Sequence, residues 1–231
     1  MSSELKVYCL AVCLYPNATM TDFQGPIELF CCFNTTNRKL FGSFFKHLPD
    51  AGPKVLPSMT YEEGMKTDFD IILIPGGKQI LAALPGPCSL HVQGRPYTGP
   101  SPKEGPPDIR EFLKKKGPET KYVLSVCTGS WQLAYIGLLE GKRATTNKAS
   151  YNSVVVDTKD LNITWVPKSQ MGGVDDDKHI WISSGVAAGI DLAYAFSVHL
   201  FGEKLADEAK GLIEFSTSKD ADHDKFATFY G

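Results

Sequence analysis

The stretch YVLSVCTGSWQL, residues 122–133, sets an unbroken apolar run directly against a segment with helical spacing, with only Cys127-Thr128-Gly129-Ser130 between them. Five residues from Tyr122 to Val126 without polar alternation fit a strand covered on both faces, as in a parallel sheet. Ser130 to Leu139 places apolar residues at helical intervals and stops near Gly141. A strand that turns into a helix within a few residues is the outline of a nucleophile elbow, which lifts one side chain out of the sheet edge. The side chain at that turn is a thiol.

The same pattern recurs outward from this stretch. Lys6 to Leu14, Phe69 to Pro75, Arg143 to Thr146, Ile163 to Val166 and His179 to Ile182 are further strand candidates. GPIELFCCFN (25–34), with Pro26 in a first turn, PDIREFLKKK (107–116), Ala187 to Phe201 and Glu203 to Phe215 are helix candidates. This β-α alternation predicts a flavodoxin-like α/β sandwich, a mostly parallel central sheet with helices on both faces. The 231 residues fit one domain, 1–231, better than two. Leu84 to Pro107 is dense in proline and glycine and reads as an irregular insertion.

Composition bounds the function. The chain is 42% hydrophobic and 22% charged with a formal net charge of -2, the profile of an ordinary soluble protein. Without a basic run, nucleic acid is not an expected partner. The apolar runs are too short for a membrane span, and the N-terminus lacks the basic leader of a secretory signal. Cys9, Cys13, Cys31, Cys32, Cys88 and Cys127 form no CxxC pair and no metal-ligand spacing, which predicts free thiols in a reducing, cytoplasmic setting and no metal. Asp175-Asp176-Asp177 reads as a solvated turn.

A cysteine at a helix start feels free amides and the helix dipole, which predicts a lowered pKa and a thiolate. The glycines of ILIPGG (72–77) bare backbone N–H groups at the same sheet edge, so Gly77 and Thr128 are candidate oxyanion donors. The proton manager is less plain. The residue after Cys127 is Thr128, and none of His47, His91, His179, His199 and His223 stands in a recognisable Cys-His spacing. Asp22, after the first strand and before a helix, also belongs at the carboxyl edge; cap residue and catalytic acid are equally open for it.

Taken in order, Asp22-Phe-Gln-Gly25-Pro26, Ile74-Pro75-Gly76-Gly77, Ser125-Val-Cys127-Thr-Gly129-Ser, Gly137 to Thr146 and Gly185-Val-Ala-Ala-Gly189-Ile-Asp191 resemble the ThiJ/PfpI superfamily, the class I glutamine-amidotransferase-like fold, and within it the isocyanide hydratase branch. The resemblance runs from about Val7 to Leu200 outside the insertion. It implies a homodimer without cofactor, with Cys127 as nucleophile, Asp22 contacting it, and Gly77, Thr128, Gly185 and Asn147 around the substrate. The implied reaction adds water to an isocyanide, a small electrophile, to give an N-substituted formamide. Glyoxalase or deglycase chemistry on methylglyoxal and a redox-sensing stress role are the alternatives. Relatives that act as regulators add a C-terminal helix-turn-helix module; the chain stops at Gly231 and no such module is expected. Asn147-Lys148 replaces the His-Trp usual in hydratase-like relatives, so the pocket wall is expected to differ there.

Overall fold

The computed structural model describes residues 8–15, 18–33, 57–77, 107–168, 178–217 and 226. Four parallel strands form the main sheet: β1 (Leu10–Val12), β2 (Ile71–Ile74), β3 (Tyr122–Val126) and β6 (Ile180–Ser183), in the spatial order β1-β2-β3-β6. Every residue of β2, β3 and β6 is buried. Successive side chains of a strand point to opposite faces, so both faces need cover. On one face Ile72 and Ile74 of β2 meet Ile109, Phe112 and Leu113 of α3 (Pro107–Glu119). On the other, Ile71 and Leu73 join Phe23 of α1 (Met20–Cys31) and Leu192 and Phe196 of α6 (Ala188–Phe201). Removing Ile72, which is fully buried, down to Ala would cost roughly 2–5 kcal/mol. The sheet is mostly parallel with helices on both sides, as the apolar runs predict.

The remaining elements are short. α2 (Tyr61–Gly64) packs near α3, α4 (Gly129–Tyr135) follows the elbow, and α7 (Glu203–Leu212) folds back on α6. β4 (Arg143–Ala144) and β5 (Thr164–Trp165) pair in a small parallel sheet, joined by a 3-10 turn at Lys148–Ser150 and α5 (Tyr151–Asp157).

Two expectations are corrected. α1 begins at Met20, with Thr19 at the N-cap position but no side-chain cap bond, so Pro26 lies inside the helix and not in its first turn. The gain is that Asp22 stands in the first helical turn, at the sheet edge. α4 ends at Tyr135, and the chain leaves through turns at Gly137 (φ 84°) and Gly141 (φ 71°), a conformation that favours glycine. α5 and α2 have no counterpart among the helix candidates. The first carries the β-branched run Val154-Val155-Val156, which hides a helix. The second had a signal, the capping box of Thr60 and Glu63.

The insertion up to residue 106, Asp175–Asp177, Cys88 and His47, His91 and His223 lie outside the described residues. Among the described residues, no helix is long and apolar enough to cross a membrane and no side-chain cluster has a metal-ligand composition. The described cysteines are free thiols.

Candidate active site at the carboxyl edge of the sheet

Cys127 follows the last residue of β3 with φ 61°, in the left-handed region where a non-glycine residue is strained by roughly 1–2 kcal/mol. Three bonds hold it there. Its N–H donates to Ser183 O (3.2 Å), and its carbonyl accepts from Ser130 Oγ (3.2 Å) and Thr146 Oγ1 (3.2 Å). Gly129 permits the tight exit: a Cβ there would stand 2.4 Å from the carbonyl oxygen of Ile74. The thiol is buried, with 1% of the residue exposed.

The acid partner arrives from α1. Asp22 is fully buried; its Oδ2 accepts from the Gly76 N–H at 2.8 Å, its carboxyl lies beside the Cys127 thiol, and its Oδ1 has no hydrogen-bond partner among the described residues. Burial pushes its pKa up to about 6, while the Gly76 N–H and the thiol hold it down. Cys127 departs from expectation. Its pKa is raised, first by burial and then by the charge of Asp22; the N–H and hydroxyl of Thr128 lower it but are outweighed. The resting group is therefore a thiol beside a carboxyl group, and not a thiolate at a helix start.

Thr128 is placed by the glycine loop. Gly77 N–H donates to Thr128 Oγ1 (3.1 Å), and that hydroxyl in turn faces the sulfur. Gly77 thus reaches the reacting atom through Thr128. Gly185 follows β6 by two residues and is half-buried; a Cβ there would lie 4.0 Å from Asn147 Nδ2. Asn147 itself is half-buried, with Oδ1 buried and without a hydrogen-bond partner among the described residues.

The two described histidines belong to the opposite edge. His199 on α6 faces the hydroxyl of Tyr122, the first residue of β3, at 3.3 Å, and His179 precedes β6. Five residues of strand separate that edge from Cys127, about 16 Å at the rise of a strand. Neither manages a proton at the thiol. Reading the sequence missed Ser130, Thr146 and Ser183 as the holders of the elbow; Ser130 and Thr146 stand within quoted motifs, but nothing in their spacing marks a clamp. Trp131, nine-tenths buried, bonds Asp157 Oδ2 through Nε1 (3.0 Å), an oxygen it shares with the Tyr135 hydroxyl, and so ties the elbow helix to α5.

No protein-family model matches the chain. Isonitrile hydratase of Pseudomonas putida is 26% identical over 204 residues, covering 88% of this chain and 76% of the relative. Among solved structures, a ThiJ/PfpI family protein from Pseudomonas syringae superposes with a TM-score of 0.63 at 21% identity, covering 93% of this chain and 77% of that one. DJ-1beta of Drosophila melanogaster gives 0.61 at 15% identity, over 90% of this chain and 97% of that one. An AraC family transcriptional regulator from Pseudomonas putida gives 0.60 at 14% identity, over 90% and 100%. The last three likenesses concern the fold.

Proposed function

We propose that this chain, a homologue of isonitrile hydratase at low identity whose structural neighbours are ThiJ/PfpI and DJ-1 superfamily proteins, is a cysteine-dependent hydratase that converts isocyanides to N-substituted formamides. The observation that carries this reading is the Asp22–Cys127 pair: a buried carboxyl beside a buried thiol, with neither described histidine at that edge.

The pair supplies what hydration needs. As the sulfur attacks the terminal isocyanide carbon, Asp22 takes the thiol proton and delivers it to that carbon, giving a thioformimidate, R–N=CH–S. Asp22 then deprotonates a water that adds to the same carbon, and the proton passes to nitrogen. The adduct R–NH–CH(OH)–S breaks its C–S bond, the hydroxyl proton returns to sulfur, and R–NH–CHO leaves with the thiol restored. Thr128 holds the sulfur through its N–H and hydroxyl as charge develops on it. No cofactor enters these steps.

The alternatives fit less well. A peroxide-sensing cysteine reacts as thiolate, and burial and Asp22 both disfavour that form here. Glyoxalase chemistry on methylglyoxal would draw on the same pair, and the lack of histidine at positions 128 and 147 disfavours it. The homodimer and the cytoplasmic setting remain part of the proposal on the strength of the resemblance and the free thiols.

The test is benzyl isocyanide with the purified protein in H2(18O). One labelled oxygen should appear in the formamide, and Cys127→Ser should fall to the uncatalysed rate. Turnover that survives Cys127→Ser would remove the covalent route.

The pH profile follows from Asp22, which must be ionised to accept the thiol proton. kcat/KM should fall as the pH drops through about 6, with unit slope, and run level from there to neutrality. An acid limb centred near 4 would mean that an ordinary exposed carboxylate, and not Asp22, governs the reaction.

A further inference from the structure

Asn147 stands next in sequence to a residue bonded to the elbow, and its side chain carries an acceptor that no described residue uses. Thr146, its neighbour in sequence, bonds the Cys127 carbonyl, which fixes the backbone immediately before Asn147 against the reactive turn. Gly185, which Asn147 faces, lies two residues beyond Ser183, whose carbonyl takes the Cys127 N–H. Asn147 therefore lies where the chain after β4 passes the turn that follows β6. Its Oδ1 is buried without a donor among the described residues, an unfavourable state until a partner arrives.

The proposed reaction creates one suitable donor. An isocyanide has no N–H. The nitrogen gains its hydrogen when water adds to the thioformimidate, and keeps it in the formamide. From this we infer that Asn147 Oδ1 accepts the N–H that forms on the substrate nitrogen, so that Asn147 recognises the hydrated intermediate and a secondary formamide product but not the starting isocyanide. The assignment rests on the hydratase reading for its chemistry. It confers a transition-state preference, since the bond does not exist in the ground state.

Two measurements decide it. In steady-state hydration of benzyl isocyanide, Asn147→Leu should lower kcat about tenfold, the value of one neutral hydrogen bond, with KM unchanged. A variant that lowers kcat and raises KM alike, or leaves kcat intact, overturns the assignment while the hydratase reading stands. The second measurement needs no turnover. Titrated into the Cys127→Ala protein by calorimetry, N-benzylformamide should bind about tenfold more tightly than N-benzyl-N-methylformamide, which lacks the N–H, and Asn147→Leu should abolish the difference. Equal binding of the two amides before the substitution overturns the inference. If the wild type hydrates no isocyanide, the hydratase reading fails, and the amide comparison still decides whether Asn147 accepts from such an N–H. Thermal unfolding of Asn147→Leu should not fall, because the change removes an unpaired buried acceptor and not a bond.

Discussion

Asp22→Asn is expected to lower kcat/KM for isocyanide hydration by about 10³-fold and, at the same time, to make the protein more stable at pH 7. Both effects have one origin. Asn keeps the oxygen that accepts from Gly76 N–H, so the loop stays attached to α1. It cannot take a proton from sulfur, nor pass one to carbon, so the first step loses its base. The stability change follows from burial. The carboxyl has its pKa raised from 3.8 to about 6 in the folded state. A carboxyl raised on folding favours the fold below its unfolded pKa, and that advantage disappears as the pH climbs through the folded value. By neutrality the buried charge costs about 3 kcal/mol, which the amide does not. Denaturant unfolding should therefore show Asp22→Asn above wild type at pH 7 and close to it at pH 4. A variant that loses stability equally at both pH values would make Asp22 a structural residue, and an unchanged turnover would take it out of the mechanism.

That a protein keeps such a group is intelligible only through what the group does next to Cys127, and this could be read from sequence only in part. Position was legible: Asp22 after one strand and Cys127 after another must share the carboxyl edge of a parallel sheet. Tyr122–Val126 was legible to the residue because an unbroken apolar run between turn residues admits few other structures. The proton's resting place was not. Helix-start reasoning weighs local amides, and those of Thr128 do pull on the thiol as expected, but burial and Asp22 oppose them with larger effect. Burial is a property of the whole packed molecule, of α1 and the Gly76 loop closing over the elbow, and no window of sequence contains it. The same holds for Thr146, nineteen residues from the carbonyl it clamps. Short elements hid for a different reason: Tyr151–Asp157 is a helix of seven residues whose valines favour strands, and tertiary contact overrode that preference.

Gly76→Ala should be among the most damaging single methyls in the site. No left-handed φ is required of this residue, so alanine meets no conformational barrier, and the effect is one of space alone. The added Cβ would stand 2.6 Å from the backbone nitrogen of Thr128, 2.7 Å from its Oγ1 and 2.8 Å from the Cβ of Cys127. None of these is the free end of a long side chain that could swing aside. Either the glycine loop or the elbow has to move, and the loop carries both Gly76 N–H to Asp22 and Gly77 N–H to Thr128. A shift therefore disturbs the base and the group that steadies the sulfur together. Stability should fall by about 3 kcal/mol, at the upper end of overpacking effects, and kcat by about 10² at temperatures where the variant remains folded. Gly211→Ala is the matched control. It lies within α7, no atom outside its own helix lies within 4 Å of the new Cβ, and it should gain about 0.5–1 kcal/mol from helix propensity with turnover untouched. Equal behaviour of the two variants would mean that the loop and the elbow are not interlocked as the distances state, and the close fit around Cys127 would then have no part in holding Asp22 and Thr128 to the thiol.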